Sequence, residues 1–141
     1  MTNGFVYVIL LSRLNPIKDN KEKKMKVYQC EKCKKTIITK DELKLDGWVE
    51  LVAGSTDAAQ EKHVPVVTKK CKQVKVDVGS VAHPMTAEHL IEWVAIETAQ
   101  GYQVKYLTPE SAPVCNFSLA DGDSLVAVYA YCNLHGLWKN N

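Results

Sequence analysis

Residues 73–78 read Gln-Val-Lys-Val-Asp-Val. In an extended chain successive side chains point to opposite faces, so Val74, Val76 and Val78 share one face and Gln73, Lys75 and Asp77 the other. That period of two fits a half-buried strand and excludes an amphipathic helix. The alternation recurs at Tyr102, Val104 and Tyr106, with Gln103 and Lys105 between them. Residues 91–98 are rich in β-branched and aromatic side chains, and residues 125–131 form a nearly continuous apolar run; both are expected strands. Gln100-Gly101 and Ala120-Asp121-Gly122-Asp123 supply turns. No helical periodicity exceeds two turns, and residues 86–89 offer one short turn at most. Short strands with turn signals about every 8 to 12 residues predict an all-β fold, roughly a seven-stranded antiparallel sandwich.

The 141 residues leave room for one domain with a small appendage. Residues 1–25 are expected to be a flexible basic extension. They hold Asn15-Pro16 and the polar run 18–24, which buries little apolar surface, and Met25 could serve as an alternative start. Residues 26–48 form a second unit around Cys30-Glu31-Lys32-Cys33, and residues 49–141 the main domain. Residues 1–45 carry 11 basic and 5 acidic side chains, residues 46–141 carry 7 and 11, and the total is only +2. With Tyr28 the lone aromatic in the basic stretch, nucleic-acid binding is not expected. No apolar run reaches about 20 residues, so no membrane-spanning helix is expected. Five cysteines cannot all pair within one chain, and the N-terminus shows no clear export signal. A reducing cytoplasm is the expected compartment, where clustered cysteines point to metal or catalysis rather than to bridges.

The four histidines, His63, His83, His89 and His135, all fall in loop-like or strand-end positions, and His135 lies three residues after Cys132. Imidazole suits iron, copper, nickel and zinc, and a thiolate favours the softer or redox-active metals. A structural zinc site closes with four ligands. Four imidazoles and one thiolate make five donors and leave a sixth octahedral position open, an arrangement suited to iron and a small incoming ligand.

Three separated stretches carry a more specific signal. They are Gly54-Ser55-Thr56-Asp57-Ala58-Ala59-Gln60-Glu61-Lys62-His63-Val64-Pro65-Val66; Val78-Gly79-Ser80-Val81-Ala82-His83-Pro84-Met85-Thr86-Ala87-Glu88-His89-Leu90-Ile91-Glu92-Trp93; and Tyr131-Cys132-Asn133-Leu134-His135-Gly136-Leu137-Trp138-Lys139. In this order they resemble the superoxide reductases, also called desulfoferrodoxins and neelaredoxins, over about residues 50–139. The resemblance implies an immunoglobulin-like β-sandwich and one mononuclear non-haem iron per chain, with His63, His83, His89 and His135 as ligands and Cys132 as the axial thiolate. It also implies catalytic roles for Glu61 and Lys62. The activity implied is one-electron reduction of superoxide to hydrogen peroxide without dioxygen, fed by a rubredoxin-like donor, in a homo-oligomer (a dimer or tetramer). Lys62 would attract the anionic substrate and support proton delivery. Glu61 would close the site after turnover. Backbone amides at Asn133, Leu134 and His135 are expected to bond the Cys132 sulfur, and Pro84 to fix the loop between His83 and His89. The alternative to an enzyme is an iron-binding electron-transfer protein without turnover; a binding module with incidental histidines is a further rival.

The resemblance breaks down at the N-terminus. Two-iron relatives carry a desulforedoxin-like module with a CxxC and a later adjacent cysteine pair; here Cys30 and Cys33 are followed by no such pair, and Lys34 stands where glycine is usual. One chain cannot build a four-thiolate site from them. A metal-free remnant, a metal shared between two chains, or a redox dithiol remain open, and no metal is assigned to the pair. Cys71 and Cys115 are expected to be buried, inert thiols, with redox sensing or an intersubunit bridge as the alternative. Trp93 and Trp138 are expected to serve packing rather than electron relay, and Trp48 has no assigned place.

Overall fold

The structure is a computed structural model that describes residues 23–141; residues 1–22 of the expected extension lie outside them. Ten strands follow one another: β1 (Lys26–Cys30), β2 (Thr36–Thr39), β3 (Trp48–Glu50), β4 (Pro65–Lys70), β5 (Gln73–Val78), β6 (Ile91–Thr98), β7 (Gly101–Tyr106), β8 (Val114–Ser118), β9 (Leu125–Cys132) and β10 (Gly136–Lys139). The single helix among the described residues is one turn, α1 (Gln60–His63), between β3 and β4.

Seven strands make the sandwich. One sheet has the order β10-β9-β6-β7 and the other β4-β5-β8, and all pairings are antiparallel. Val74, Val76 and Val78 of β5 and Cys115 and Phe117 of β8 meet Ile91, Val94 and Ile96 of β6 and Val128, Ala130 and Cys132 of β9 in one core. Each large apolar side chain buried there contributes about 1.5–3 kcal/mol. Gly101 belongs to β7, paired with Thr98, so the β6–β7 turn is Ala99-Gln100, one residue earlier than Gln100-Gly101. It is held there because the Gly101 amide donates to Thr98 Oγ1 at 3.1 Å and the Gln100 amide to Asp123 Oδ1 at 3.1 Å.

The remaining strands form a third sheet, β2-β1-β3. Trp48, unplaced by its sequence, opens β3 opposite Cys30, and that strand continues through Val49 and Glu50. This sheet covers the outer face of the four-stranded sheet: Met25 and Val27 pack with Trp93, Ala95, Ala127, Tyr129, Tyr131 and Leu137. β6 and β9 are thus buried on both faces, which explains why each reads as an apolar run instead of an alternating one. Trp93 stacks on Tyr131 at 5.5 Å and donates Nε1–H to Thr36 Oγ1, the packing role expected of it. Glu97, 3% exposed, accepts the Met25 amide at 2.7 Å and lies 3.8 Å from the Lys40 ammonium. A buried carboxylate needs such partners.

The structure separates the two unassigned thiols. Cys115 is buried. Cys71 is exposed, contrary to expectation: it sits in the two-residue turn joining β4 to β5 with φ +53°, a conformation that carries its side chain off the core face.

Candidate metal centre

Four loops and strand ends bring the histidines to one end of the sandwich. His63 ends α1, and its Nδ1–H donates to the Ala59 carbonyl at 2.7 Å. His83 follows β5 and donates Nδ1–H to the Pro84 carbonyl at 2.6 Å, so Pro84 aims the ring as well as shaping the loop. Residues 86–89 form a hydrogen-bonded turn rather than a helix: the His89 amide donates to Thr86 Oγ1 and the Thr86 amide to the His89 carbonyl. Cys132 closes β9, and His135 ends the turn that leads into β10.

The rings form a closed square. Centroids of His63 and His83 lie 4.7 Å apart, His83 and His89 4.6 Å, His89 and His135 4.9 Å, and His135 and His63 4.9 Å, each pair edge-to-face. Across the square His63 and His89 are 6.3 Å apart. Ligand atoms of His63, His83, His89 and Cys132 all lie within 4.8 Å of one another. His135 joins them through Nδ1, 3.2 Å from His63 Nε2 and 3.8 Å from Cys132 Sγ.

Two of the inner nitrogens, those of His63 and His83, have no proton to share. With their Nδ1–H groups committed to carbonyls, His63 and His83 present bare Nε2 lone pairs to each other at 3.2 Å. His89 Nε2 is buried with no hydrogen-bond partner. Facing acceptors and an orphaned ring nitrogen are costly in a protein interior unless a cation draws them together. Adjacent donors about 2.0–2.3 Å from a metal stand roughly 3 Å apart, close to the separations seen. Neutral imidazoles with a thiolate are a donor set suited to iron, and the cluster is placed to hold it.

Burial tunes three of the imidazoles toward their neutral, ligating form. Desolvation holds His63, His83 and His89 below the ordinary histidine range, His83 down to about 4, and the Lys62 charge adds to this at His63 and His89. Burial raises the Cys132 thiol, while the amides of His135 and Leu134 pull it back down by bonding the sulfur. The Asn133 amide, expected to join them, instead donates to the Leu90 carbonyl at 3.2 Å.

Glu61 and Lys62 are exposed on α1 immediately before His63. Among the described residues Lys62 takes part in none of the ion pairs. Cys30 and Cys33 lie apart from this cluster on the β1–β2 turn.

Two supporting residues escaped sequence reasoning, Asn133 and Gly79, and Trp138, expected to pack, packs on a candidate ligand. Asn133 Oδ1 accepts from the Leu90 amide and its Nδ2 donates to the Glu88 carbonyl, tying the His89 loop to the Cys132 turn. Trp138 stacks on His63 at 4.9 Å and donates Nε1–H to the His135 carbonyl. Gly79, at φ +83°, lets α1 lie against the loop that precedes His83; its amide donates to the Val64 carbonyl and the Val81 amide to the Glu61 carbonyl. All three lie inside the stretches that carried the resemblance, but the Leu90, Glu88, His63, Val64 and Glu61 groups they meet or bring together are remote in sequence.

The desulfoferrodoxin family profile matches residues 55–141. The desulfoferrodoxin of Clostridium acetobutylicum is 49% identical over 90 residues, 64% of this chain and 70% of that protein. That of Syntrophotalea carbinolica is 39% identical over 128 residues, 83% of this chain and 96% of the relative. Among solved structures, the superoxide reductase from Treponema pallidum aligns with a TM-score of 0.64 and 47% identity, covering 67% of this chain and 78% of that one. A histidine square with a buried thiol, on a sandwich whose sequence matches over that whole span, makes this chain a member of the desulfoferrodoxin family.

Proposed function

We propose that the protein is a superoxide reductase, converting superoxide, one electron and two protons into hydrogen peroxide without forming dioxygen, with a rubredoxin-like protein restoring the electron. The ligands assigned are His63, His83, His89, His135 and Cys132. One non-haem iron held by them supplies the redox electron when bound. The observation that carries the reading is the convergence of three imidazoles and a thiol within 4.8 Å, with His89 Nε2 left without a partner.

The chain's own residues prepare the site for a small anion. Lys62 places an unpaired ammonium beside His63 and raises the local concentration of superoxide by Coulomb attraction. Its ammonium also supports proton delivery to the reduced substrate. Glu61, on the same helical turn, closes the site between turnovers and keeps other anions out. The amides of Leu134 and His135 hold the Cys132 sulfur as an acceptor in a dry strand end. Residues 49–141 carry the chemistry and residues 26–48 support it. A homodimer or homotetramer is the working form, a reading that rests on the family resemblance alone, and the odd cysteine count supports a reducing cytoplasm as its compartment.

The test is rapid mixing of ferrous protein with a measured amount of superoxide. One hydrogen peroxide per superoxide and no dioxygen are expected. Dioxygen release would identify a dismutase, and iron that exchanges electrons reversibly with added donor but yields no hydrogen peroxide from superoxide would identify an electron carrier; either overturns the proposal. Cys132→Ser should abolish thiolate-to-iron absorption.

A further inference from the structure

Cys30 and Cys33 occupy the tip of the β1–β2 hairpin, Cys30 half-buried and Cys33 exposed. The turn sets the Cys33 thiol within hydrogen-bonding reach of the Cys30 thiol. The Cys33 amide donates to Cys30 Sγ at 3.4 Å, the Lys34 amide to the Cys30 carbonyl at 3.0 Å, and the Cys30 amide to the Lys35 carbonyl at 2.9 Å. Lys34 closes the turn at φ +60°, a conformation that costs any residue but glycine. Gln29 holds the strained turn in place: its Nε2 donates to the Lys34 carbonyl at 3.1 Å and also to the Tyr131 hydroxyl in the main sandwich.

Two sulfurs are all that this turn offers. The His63, His83, His89 and Cys132 cluster is the only group of three or more potential metal-ligating side chains among the described residues, so nothing completes a tetrahedral site around Cys30 and Cys33 within the chain. A second copy could supply two more thiolates only by bringing its own Lys32, Lys34 and Lys35 against the same three lysines. Adjacent thiols without further ligands, beside cationic side chains, have a two-electron chemistry of their own.

We propose that Cys30 and Cys33 are a peroxide-reactive dithiol that closes reversibly to a disulfide. The Cys30 thiolate attacks one oxygen of hydrogen peroxide; the O–O bond breaks, the departing hydroxide takes a proton and leaves as water, and Cys30 becomes a sulfenic acid. The Cys33 sulfur then attacks the Cys30 sulfur; the S–O bond breaks, a second water leaves, and the S–S bond forms. The pair loses two electrons and two protons, and one peroxide becomes two waters. Bonding from the Cys33 amide and thiol, with the Lys32 amide and charge, holds the Cys30 thiol below its ordinary value and favours the attacking form. Hydrogen peroxide is also the product proposed for the iron site, but the step needs only peroxide from any source.

The iron-loaded chain contains its own reference, the exposed Cys71. The protein is treated with one equivalent of hydrogen peroxide, quenched by alkylation at intervals and mapped by peptide mass. Cys30 and Cys33 should leave the alkylatable pool together, at least tenfold faster than Cys71, in a peptide lighter by two hydrogens that dithiothreitol restores. In Cys33→Ser the reaction should stop at a Cys30 sulfenic acid trapped by dimedone. Oxidation of the pair no faster than Cys71, a disulfide between chains, or a second metal that shields both sulfurs would overturn the proposal. The unmodified chain gives the primary readout, so the result does not depend on the variant folding.

Discussion

Replacing Gly79 by alanine adds a methyl group where three backbone carbonyls already stand. Its Cβ would lie 2.3 Å from the Val81 oxygen and 2.7 Å from those of Glu61 and Lys62. None is the tip of a flexible side chain, so relief to ordinary contact takes about 1 Å of backbone movement. The φ of +83° adds about 1–2 kcal/mol of conformational strain and the overlap about 1–3 kcal/mol. The variant should lose roughly 2–5 kcal/mol, a fall in Tm of about 8–20 °C at this chain length. Gly54→Ala separates the two causes, because Gly54 has φ +70° with nothing within 4 Å of the added carbon. It should show the strain alone, about 1–2 kcal/mol. The centre senses only the overlap, since α1 carries His63 and the adjoining loop His83. Metal sites tolerate about 0.2 Å, so iron affinity should drop at least tenfold in Gly79→Ala and stay unchanged in Gly54→Ala. Thermal unfolding of the metal-free proteins and iron titration of both variants supply the comparison. Equal losses of stability, or parental iron binding by Gly79→Ala, would refute the reasoning.

Asn133→Ala should cost about 1–3 kcal/mol by stripping partners from the Leu90 amide and the Glu88 carbonyl, and should weaken iron binding through His89; urea unfolding and iron titration read the two effects. Lys62→Ala should slow the encounter with superoxide roughly threefold to tenfold at low ionic strength, with iron content intact, and the difference should fade above about 0.5 M salt; a gap that persists in salt would contradict electrostatic attraction. In the metal-free protein, the depressed His83, His63 and His89 values mean that the unfolded chain binds more protons than the folded one below the ordinary histidine range. Stability should therefore be full above about pH 6.5 and fall as the pH drops toward 4, with His83 alone accounting for up to about 3 kcal/mol. His83→Asn should flatten that slope, and an unchanged slope would count against it.

The parts of the fold legible in the sequence were those governed by local periodicity. The alternation at Gln73–Val78 and the run at Ile91–Thr98 name their strands to the residue. What covers a strand is a nonlocal fact: the density of β6 and β9 signalled burial on both faces, but nothing local identified Met25 and Val27 as the cover. For the same reason β3 runs across residues 48 and 49, where composition suggested a division. The histidines and Cys132 were legible because ligands sit in recognisable stretches. The stacking of Trp138, the clamp of Asn133 and the crowding at Gly79 were not, because each depends on atoms brought from another element. Cys71 misled because a thiol's apolar character predicts burial, whereas its place in a two-residue turn decides exposure.

The sheet laid over the back of β6 and β9 also bears on how the centre opens. If β1 peeled away, Trp93, Tyr129 and Tyr131 would meet water and Glu97 would lose the Met25 amide. Fraying of the strand that ends in Cys132 therefore requires nearly the free energy of global unfolding, and its amides should exchange among the slowest in the molecule. The thiol is the anchored wall of the centre. The one-turn helix with His63 and the loops with His83 and His89 are not strands of either sheet, so exchange of a bound metal should proceed by their displacement.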